Sequence, residues 1–445
     1  MARLDCMQER RDGRRGRPDA GSASPTLNDR SIAARLGPFG HRAFAVYWAG
    51  GMLSNIGTWL QNVAGSVYIY DRTGSAFAVG LLNFATFLPL LLFSITGGVL
   101  SDRFDRRTIV VVAQTLSLVV ASALAVSVAA GSATEAHVIV TAFALQTSWS
   151  IAKPAMIAIL PALVPRAQLA EAVGLNTLQF ITGQIAGPIL ATLILASGGY
   201  AWAFGINAAT FIGPVLAMAY LYRRDLGRGV SRAARAGAHA VSAGIGAYVR
   251  AQPWVVSALL AVISTSAILE VVRTTAPVLV AQRLGAPSTE AGLIVAAQSA
   301  GSALGLLVFI PLRRWDVSRK VPVFGLGLQA AGLVAVSVAT TLPAAAIGVA
   351  AIGTGFSLCF PIVTGVLQTE VPDAIRGRLM SVHQMAHLGN RPFTALAAGA
   401  IAASFGVPAA CLAALLLVPV GLLSVRGTWR GLGVGVPEPA VAQSV

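Results

Sequence analysis

GGVLSDRFDRRTIVV, residues 97–111, is the stretch on which the fold turns. No Asp, Glu, Lys or Arg lies between Arg72 and Asp102, and none between Arg107 and Glu135, yet Asp102, Arg103, Asp105, Arg106 and Arg107 crowd together here. Placing one such charge at the centre of a bilayer costs about 2.5–3.5 kcal/mol on insertion scales. The cluster is therefore expected outside the hydrocarbon, as a tight turn between two apolar helices that cross it.

The rest of the chain agrees. Of its 445 residues, 56% are hydrophobic and 11% charged, with a mean hydropathy of +0.73; soluble domains carry about a quarter charged residues. Apolar runs of about 20 residues recur, long enough to cross the membrane as helices. Twelve spans are predicted, at 43–67, 76–100, 108–130, 137–160, 170–196, 200–222, 254–281, 289–312, 321–341, 344–368, 378–403 and 407–425. The runs are continuous rather than alternating, which favours an all-α integral membrane protein over an outer-membrane barrel.

A net charge of +15 would suggest nucleic acid in a soluble protein. Its placement suggests topology instead, with no nucleic-acid partner. If both termini are cytoplasmic, 27 of the 32 Lys and Arg fall on the cytoplasmic side, an asymmetry that fixes orientation by the positive-inside rule. The expected location is the plasma (inner) membrane, as a multi-pass monomer in the lipid bilayer.

Residues 1–38 are polar, Arg-rich and without the apolar centre of a signal peptide, and read as a disordered basic cytoplasmic tail. Residues 427–445 read as a second cytoplasmic tail. Cys6, Cys359 and Cys411 imply no extracellular disulfide framework. No Walker-type loop, metal pattern or cofactor motif is present in the sequence, which disfavours an ATP-driven pump and leaves covalent catalysis unexpected.

Sliding the sequence by 207 residues lays Ser150, Pro154, Leu160, Val164, Pro165 and Gly199 on Ser357, Pro361, Leu367, Val371, Pro372 and Gly406. Two pseudo-symmetric six-helix halves, 39–222 and 254–426, are expected, joined by a cytoplasmic loop at 223–253. Paired repeats about a midplane site are the architecture of a secondary transporter.

The quoted stretch resembles the loop signature of the major facilitator superfamily, Gly-x-Leu-x-Asp-Arg-x-Gly-Arg-Arg, met by Gly98, Leu100, Asp102, Arg103, Arg106 and Arg107. Asp105 replaces the second glycine. FAVYWAGGMLSNIGTWLQNVAGSVYIYDRTGSAFAVGL, LVPRAQLAEAVGLNTLQFITGQIAGPILA and VPDAIRGRLMSV resemble the branch that includes the enterobactin exporter and macrolide efflux proteins. The resemblance covers residues 39–426. It implies that Asp102 meets the N-terminal end of span 11, with the 376–380 backbone and Arg376 or Arg378 as partners, and that this latch favours the outward-open state. The residues alone also allow plain anchoring of the loop by its arginines.

On span 5, Gly183 and Gly187 share a face and Pro188 follows, a spacing that allows close helix approach and a kink. It resembles an antiporter signature whose last two glycines are here Ala191 and Thr192. Glu270 and Arg273, three apart on span 7, share a face. Two readings stand: a carboxylate that exchanges a proton as the cavity alternates, or a self-neutralising structural pair. Asn55, Gln61 and Asn62 occupy span 1.

Lys153 either faces the cavity or snorkels to the interface. His383, His387 and Arg391 lie along one face of span 11; the histidines are read as cavity-lining or interhelical hydrogen-bonding groups rather than metal ligands. Trp59 and Trp149 offer ring faces to a ligand, while Trp48, Trp202 and Trp254 read as interface anchors.

The function these features imply is a secondary active exporter of small hydrophobic or amphipathic molecules, such as drugs, siderophores or metabolites, by proton antiport and rocker-type alternation. An importer or symporter of a small solute, and a non-transporting receptor or scaffold, are the alternatives.

Overall fold

The computed structural model describes residues 37–226, 245–312 and 320–432. All regular elements among them are helical. In chain order they include α1 Arg42–Thr73, α2 Ala76–Arg103, α3 Arg106–Ala129, α4 Glu135–Ile159, α5 Leu169–Ser197, α6 Gly199–Thr210 and α7 Ile212–Arg223. After Ile245–Ala251 (α8) come α9 Pro253–Val278, α10 Ala291–Leu312, α11 Lys320–Val338, α12 Leu342–Glu370, α13 Asp373–Gly389, α14 Arg391–Ala414 and α15 Leu417–Gly431. The two tails beyond residues 37 and 432, most of the central loop, and Arg313 and Arg314 lie outside the described residues.

Local chemistry sets the turns. α1 ends at Gly74, where φ is +60°, a conformation glycine adopts without strain. The Gly74 N–H closes on the Tyr70 carbonyl at 2.7 Å, and Ser75 Oγ then accepts the Ala78 N–H at 3.3 Å to start α2. At the charged stretch, Phe104 and Asp105 are extended, and the Asp105 carboxylate caps α3 by accepting the Arg107 N–H at 2.9 Å. The tight turn expected from the charge cluster is thus two residues long.

Burial is arranged for lipid. On α3, Val112, Leu116, Val119 and Val126 are exposed, whereas Ala113, Gln114, Ser117 and Ala121 face inward. Large apolar groups outside and small or polar ones inside are the arrangement of a helix whose outer solvent is hydrocarbon.

Nine stretches among the described residues are long and apolar enough to cross a membrane, against the twelve expected. Residues 375–431 run on as one stretch, interrupted at Gly406 with φ +83°. α1 and α4 have the length but are diluted by Asn55, Gln61 and Asn62, and by Gln146, Thr147, Ser148, Ser150 and Lys153. Those two helices line internal cavities, which is why they carry polar groups. α1 also continues to Thr73 and α15 to Gly431, beyond the expected limits of 67 and 425.

α1 packs on α5, α6 and α7, and α2 and α3 on α4, as a first group; α9 packs on α14 and α15, and α10 and α11 on α12, as a second. α2 against α14 and α5 against α10 join the two groups extensively. Glycine contacts repeat from one group to the other. A Cβ on Gly97 would stand 2.7 Å from the Ser150 carbonyl, and one on Gly305 would stand 2.8 Å from Ser357 Cβ. Ser150 and Ser357 are the pair superposed by the 207-residue shift, so α2 crosses α4 as α10 crosses α12.

The apolar core differs at the two ends. At the end holding Gly74, one cluster runs through both groups and includes Val67, Ala76 and Ala203 together with Val278, Ala291, Ile294, Ala398 and Ala402. At the other end each group has its own cluster, one around Phe44, Val110, Ile159 and Leu221 and one around Val255, Leu358, Leu367 and Leu379. Trp254, expected at the interface, is buried in the latter, because Gly431 leaves room against its Cβ.

Candidate functional site between the two groups

Three cavities share Asn62 in their walls. Two, of about 480 and 290 Å³, lie within the first group of helices and are lined by polar groups including Gln61, Thr86, Gln114 and Gln146. The third, about 410 Å³, joins the groups: Trp59, Asn83 and Phe87 line it from one side, and Arg273, Pro277 and Val295 from the other.

Beside it lies the main cluster of buried charge. Glu270 is 1% exposed; its Oε1 accepts the Thr274 hydroxyl at 3.3 Å. Its Oε2 is 3.9 Å from Arg273 Nη1 and 3.9 Å from Arg391 Nε, too far for a hydrogen bond. Both guanidiniums reach across to aromatic rings of the first group: Arg273 Cζ lies 5.0 Å from the Trp59 centroid and Arg391 Cζ 5.4 Å from that of Phe87. Each such contact contributes about 0.5–2 kcal/mol. α9 and α14 supply the charges while α1 and α2 supply the rings, so the cluster bridges the two groups.

The Glu270–Arg273 proximity was legible as an i,i+3 pair. Arg391 was not, since only the fold brings α14 against α9. The histidines bond to neighbouring helices. His387 shares a 2.7 Å hydrogen bond with Ser266 and lies 4.5 Å, centroid to centroid, from Phe360; His383 shares a 3.0 Å bond with Thr364. Among the described residues no group of three metal ligands forms.

Several polar candidates tie helices together. Asn207 donates to Gln61, Asn55 donates to the Gln179 carbonyl at 2.8 Å, and Gln179 donates to the Trp48 carbonyl at 2.6 Å. The Gly183 and Gly187 face of α5 is the seam for this: a Cβ would stand 2.4 Å from Asn55 Nδ2 at the first and 2.5 Å from Trp59 Cβ at the second. The next residue, Pro188, presents its carbonyl to Gly292 of α10, where a Cβ would stand at 2.1 Å. Lys153 lies 5.1 Å from the Trp149 ring on its own helix and has no ion pair among the described residues.

The charged turn stays within the first group. Buried Arg107 pairs with Asp105 at 2.8 Å and Asp225 at 3.4 Å, and lies 4.4 Å from the Tyr222 ring. Arg106 donates to the Ala158 carbonyl at 2.9 Å. Arg103 is exposed. Gly98 has open space where a Cβ would go; the close approach belongs to Gly97. Asp102 has no hydrogen bond or ion pair among the described residues, and Arg376 donates to the Val371 carbonyl at 3.0 Å, while Arg378 is half-buried on the same helix. The Asp102 contact with α13 is not made in this conformation.

At the opposite end the groups do meet. Asp71, at the end of α1, accepts hydrogen bonds from Tyr200 and from Ser288, the latter just before α10. A Cβ on Gly80 of α2 would stand 2.8 Å from the Ala395 carbonyl of α14. Neither contact was anticipated; the isolated carboxylate of Asp71 beside a helix-ending glycine was the available signal.

The family described as transmembrane secretion effector matches residues 33–430. The enterobactin exporter EntS of Salmonella paratyphi A is 32% identical over 178 residues, covering 39% of this chain and 42% of that protein. The EntS of Escherichia coli O1:K1 is 30% identical over the same length. The chain thus spans about two fifths of these curated relatives. Among solved structures, a bacterial homologue of the iron transporter ferroportin in its inward-facing state aligns at a TM-score of 0.67 with 15% identity, covering 87% of this chain and 98% of that one. A bacterial homologue of the human lysosomal transporter Spinster, inward-facing and occupied, aligns at 0.64 with 15% identity, covering 92% and 96%.

Proposed function

From the premise that this chain belongs to the transmembrane secretion effector family of major facilitator transporters, we propose that it exports small hydrophobic or amphipathic molecules by proton antiport and rocker-type alternation. The observation that carries this reading is the difference between the two ends of the core. A shared apolar cluster closes the groups at the Asp71 end, separate clusters leave each group its own at the Asp102 end, and a cavity with buried charges lies between them. A bundle that can exchange which end is closed moves a molecule held at the middle.

The chain is a multi-pass membrane protein, and we place it in the inner membrane with cytoplasmic termini, following the arginine distribution. The Asp102 end then opens to the cytoplasm, and this conformation is inward-facing. Asp102 is idle here because its partners on α13 close with it only when the molecule turns outward. Glu270 is the group proposed to exchange the proton.

The test is collapse of a pH gradient in inverted vesicles on addition of amphipathic drugs and siderophores. Substrate-dependent collapse by the unaltered protein, lost in Asp102→Asn, is the expected result. Co-movement of substrate and proton in one direction, or binding without flux, overturns export by antiport.

A further inference from the structure

The buried cluster has two guanidiniums and one carboxylate. Glu270 Oε2, Arg273 Nε and Nη1, and Arg391 Nε all lack a hydrogen-bond partner. Glu270 is 1% exposed and Arg391 8%, and Arg273 lines the 410 Å³ cavity. Among the described residues, Glu270 is the sole carboxylate within ion-pair distance of either arginine. A buried charge without a counter-charge is costly, and an orphaned guanidinium N–H more so than a paired one. Glu270 faces both arginines at 3.9 Å and satisfies neither.

We propose that this cavity binds an amphipathic monoanion, a carboxylate on an apolar body, with the carboxylate taken by Arg273 and Arg391 and the body lying along Trp59 and Phe87. The reading rests on the export proposal and names its substrate class. With the anion bound, two positive and two negative charges balance, which offsets the one positive charge that Glu270 leaves over. The planar fork of a guanidinium matches a carboxylate with two parallel hydrogen bonds, and Arg273, whose Nε and Nη1 are unpartnered on two different edges, can offer such a fork from either edge together with Nη2. The rest of the lining is mixed: Val63, Ala276, Pro277, Ala291 and Val295 are apolar, and Asn62, Ser66 and Asn83 add polar groups that can meet a carboxylate. An anion carried outward also runs down an inside-negative potential, in the same sense as a proton moving inward.

The test is equilibrium binding to the full chain in lipid nanodiscs, using three probes of one shape: 2-naphthoate, neutral 2-naphthamide and cationic 2-naphthylmethylammonium. Naphthoate is expected to bind at least about ten-fold more tightly than the amide, and the cation most weakly. Arg273→Gln should abolish that preference, Arg273→Lys should retain part of it, and Glu270→Gln should strengthen naphthoate binding several-fold by removing the competing carboxylate. Equal binding of all three probes, preference for the amide or cation, or no binding of any to folded protein overturns the site. Should Arg273→Gln fail to fold, the probe series on the unaltered chain decides.

Transport separates this from the export reading. Naphthoate that binds but is not moved in proteoliposomes sinks export and leaves the site. Export of neutral or cationic compounds by a protein that does not bind naphthoate sinks the site and leaves export.

Discussion

Glu270 keeps one oxygen on Thr274 and leaves the other between two arginines that it does not touch closely. Removing the carboxylate leaves Arg273 and Arg391 without an anion, and breaking a buried charge set in this way costs about 3–5 kcal/mol. Glu270→Gln is therefore expected to lower the melting temperature and to abolish substrate-dependent proton movement; unchanged coupled transport would assign the cluster to structure alone. Asp102 is the opposite case, a carboxylate idle in the conformation seen. A carboxylate at a helix N-terminus is worth about 0.3–2 kcal/mol, so its loss biases the two states by up to about thirty-fold. Asp102→Asn should reach the membrane at unaltered abundance and transport at a small fraction of the normal rate. Flux equal to the unaltered protein's would leave the turn as an anchor.

Helix crossings here are set by glycines, and their distances rank them. Gly187 lies where a Cβ would meet Trp59 Cβ at 2.5 Å and the Ile56 carbonyl at 2.7 Å, both belonging to α1. Backbone cannot yield as a flexible side chain can. Gly187→Leu is expected to force α1 and α5 apart, at a cost of about 1–3 kcal/mol or more for overpacking, and to reduce the folded fraction recovered by size-exclusion chromatography. Gly97 and Gly98 make a sharper comparison, being adjacent in the signature turn. Gly97→Ala pushes a methyl to 2.7 Å from the Ser150 carbonyl, whereas Gly98→Ala meets open space. The first should lower thermal stability and the second should leave it unchanged; the reverse ranking would mean that α2 crosses α4 in another register. The signature pattern draws attention to Gly98, and only the crossing geometry reveals Gly97.

For the whole molecule, the closed end is held by small contacts rather than by one large one. Asp71 accepts from Tyr200 and Ser288, the Gly80 and Gly399 backbones touch, and Gly292 rests on the Pro188 carbonyl. A Cβ on Gly399 would stand 2.8 Å from Gly80 Cα and from the Ala76 carbonyl. Gly399→Leu should thus wedge α2 from α14 and bias the bundle toward opening at the Asp71 end. In a chain with its three native cysteines replaced, Ser288→Cys should react several-fold faster with an impermeant maleimide once Gly399→Leu is added. Equal rates would show that this end is not the one that opens.

The sequence alone determines the membrane environment, the short turns and the placement of charge at helix ends. Each of these follows from a local cost: hydrocarbon excludes charge along a run of about 20 residues, and Gly74, Ser75 and Asp105 act on their immediate neighbours. The i,i+3 spacing of Glu270 and Arg273 is local in the same way. What only the tertiary structure decides is the company each group keeps across helices: Arg391 beside Glu270, Trp59 and Phe87 over the guanidiniums, Ser288 on Asp71, and Gly97 rather than Gly98 on α4. These contacts join segments far apart in the chain, and a helix's own 3.6-residue period does not specify which neighbour its polar face will meet. The closed end and the cavity depend on that choice of neighbours, which the packing of the whole bundle makes.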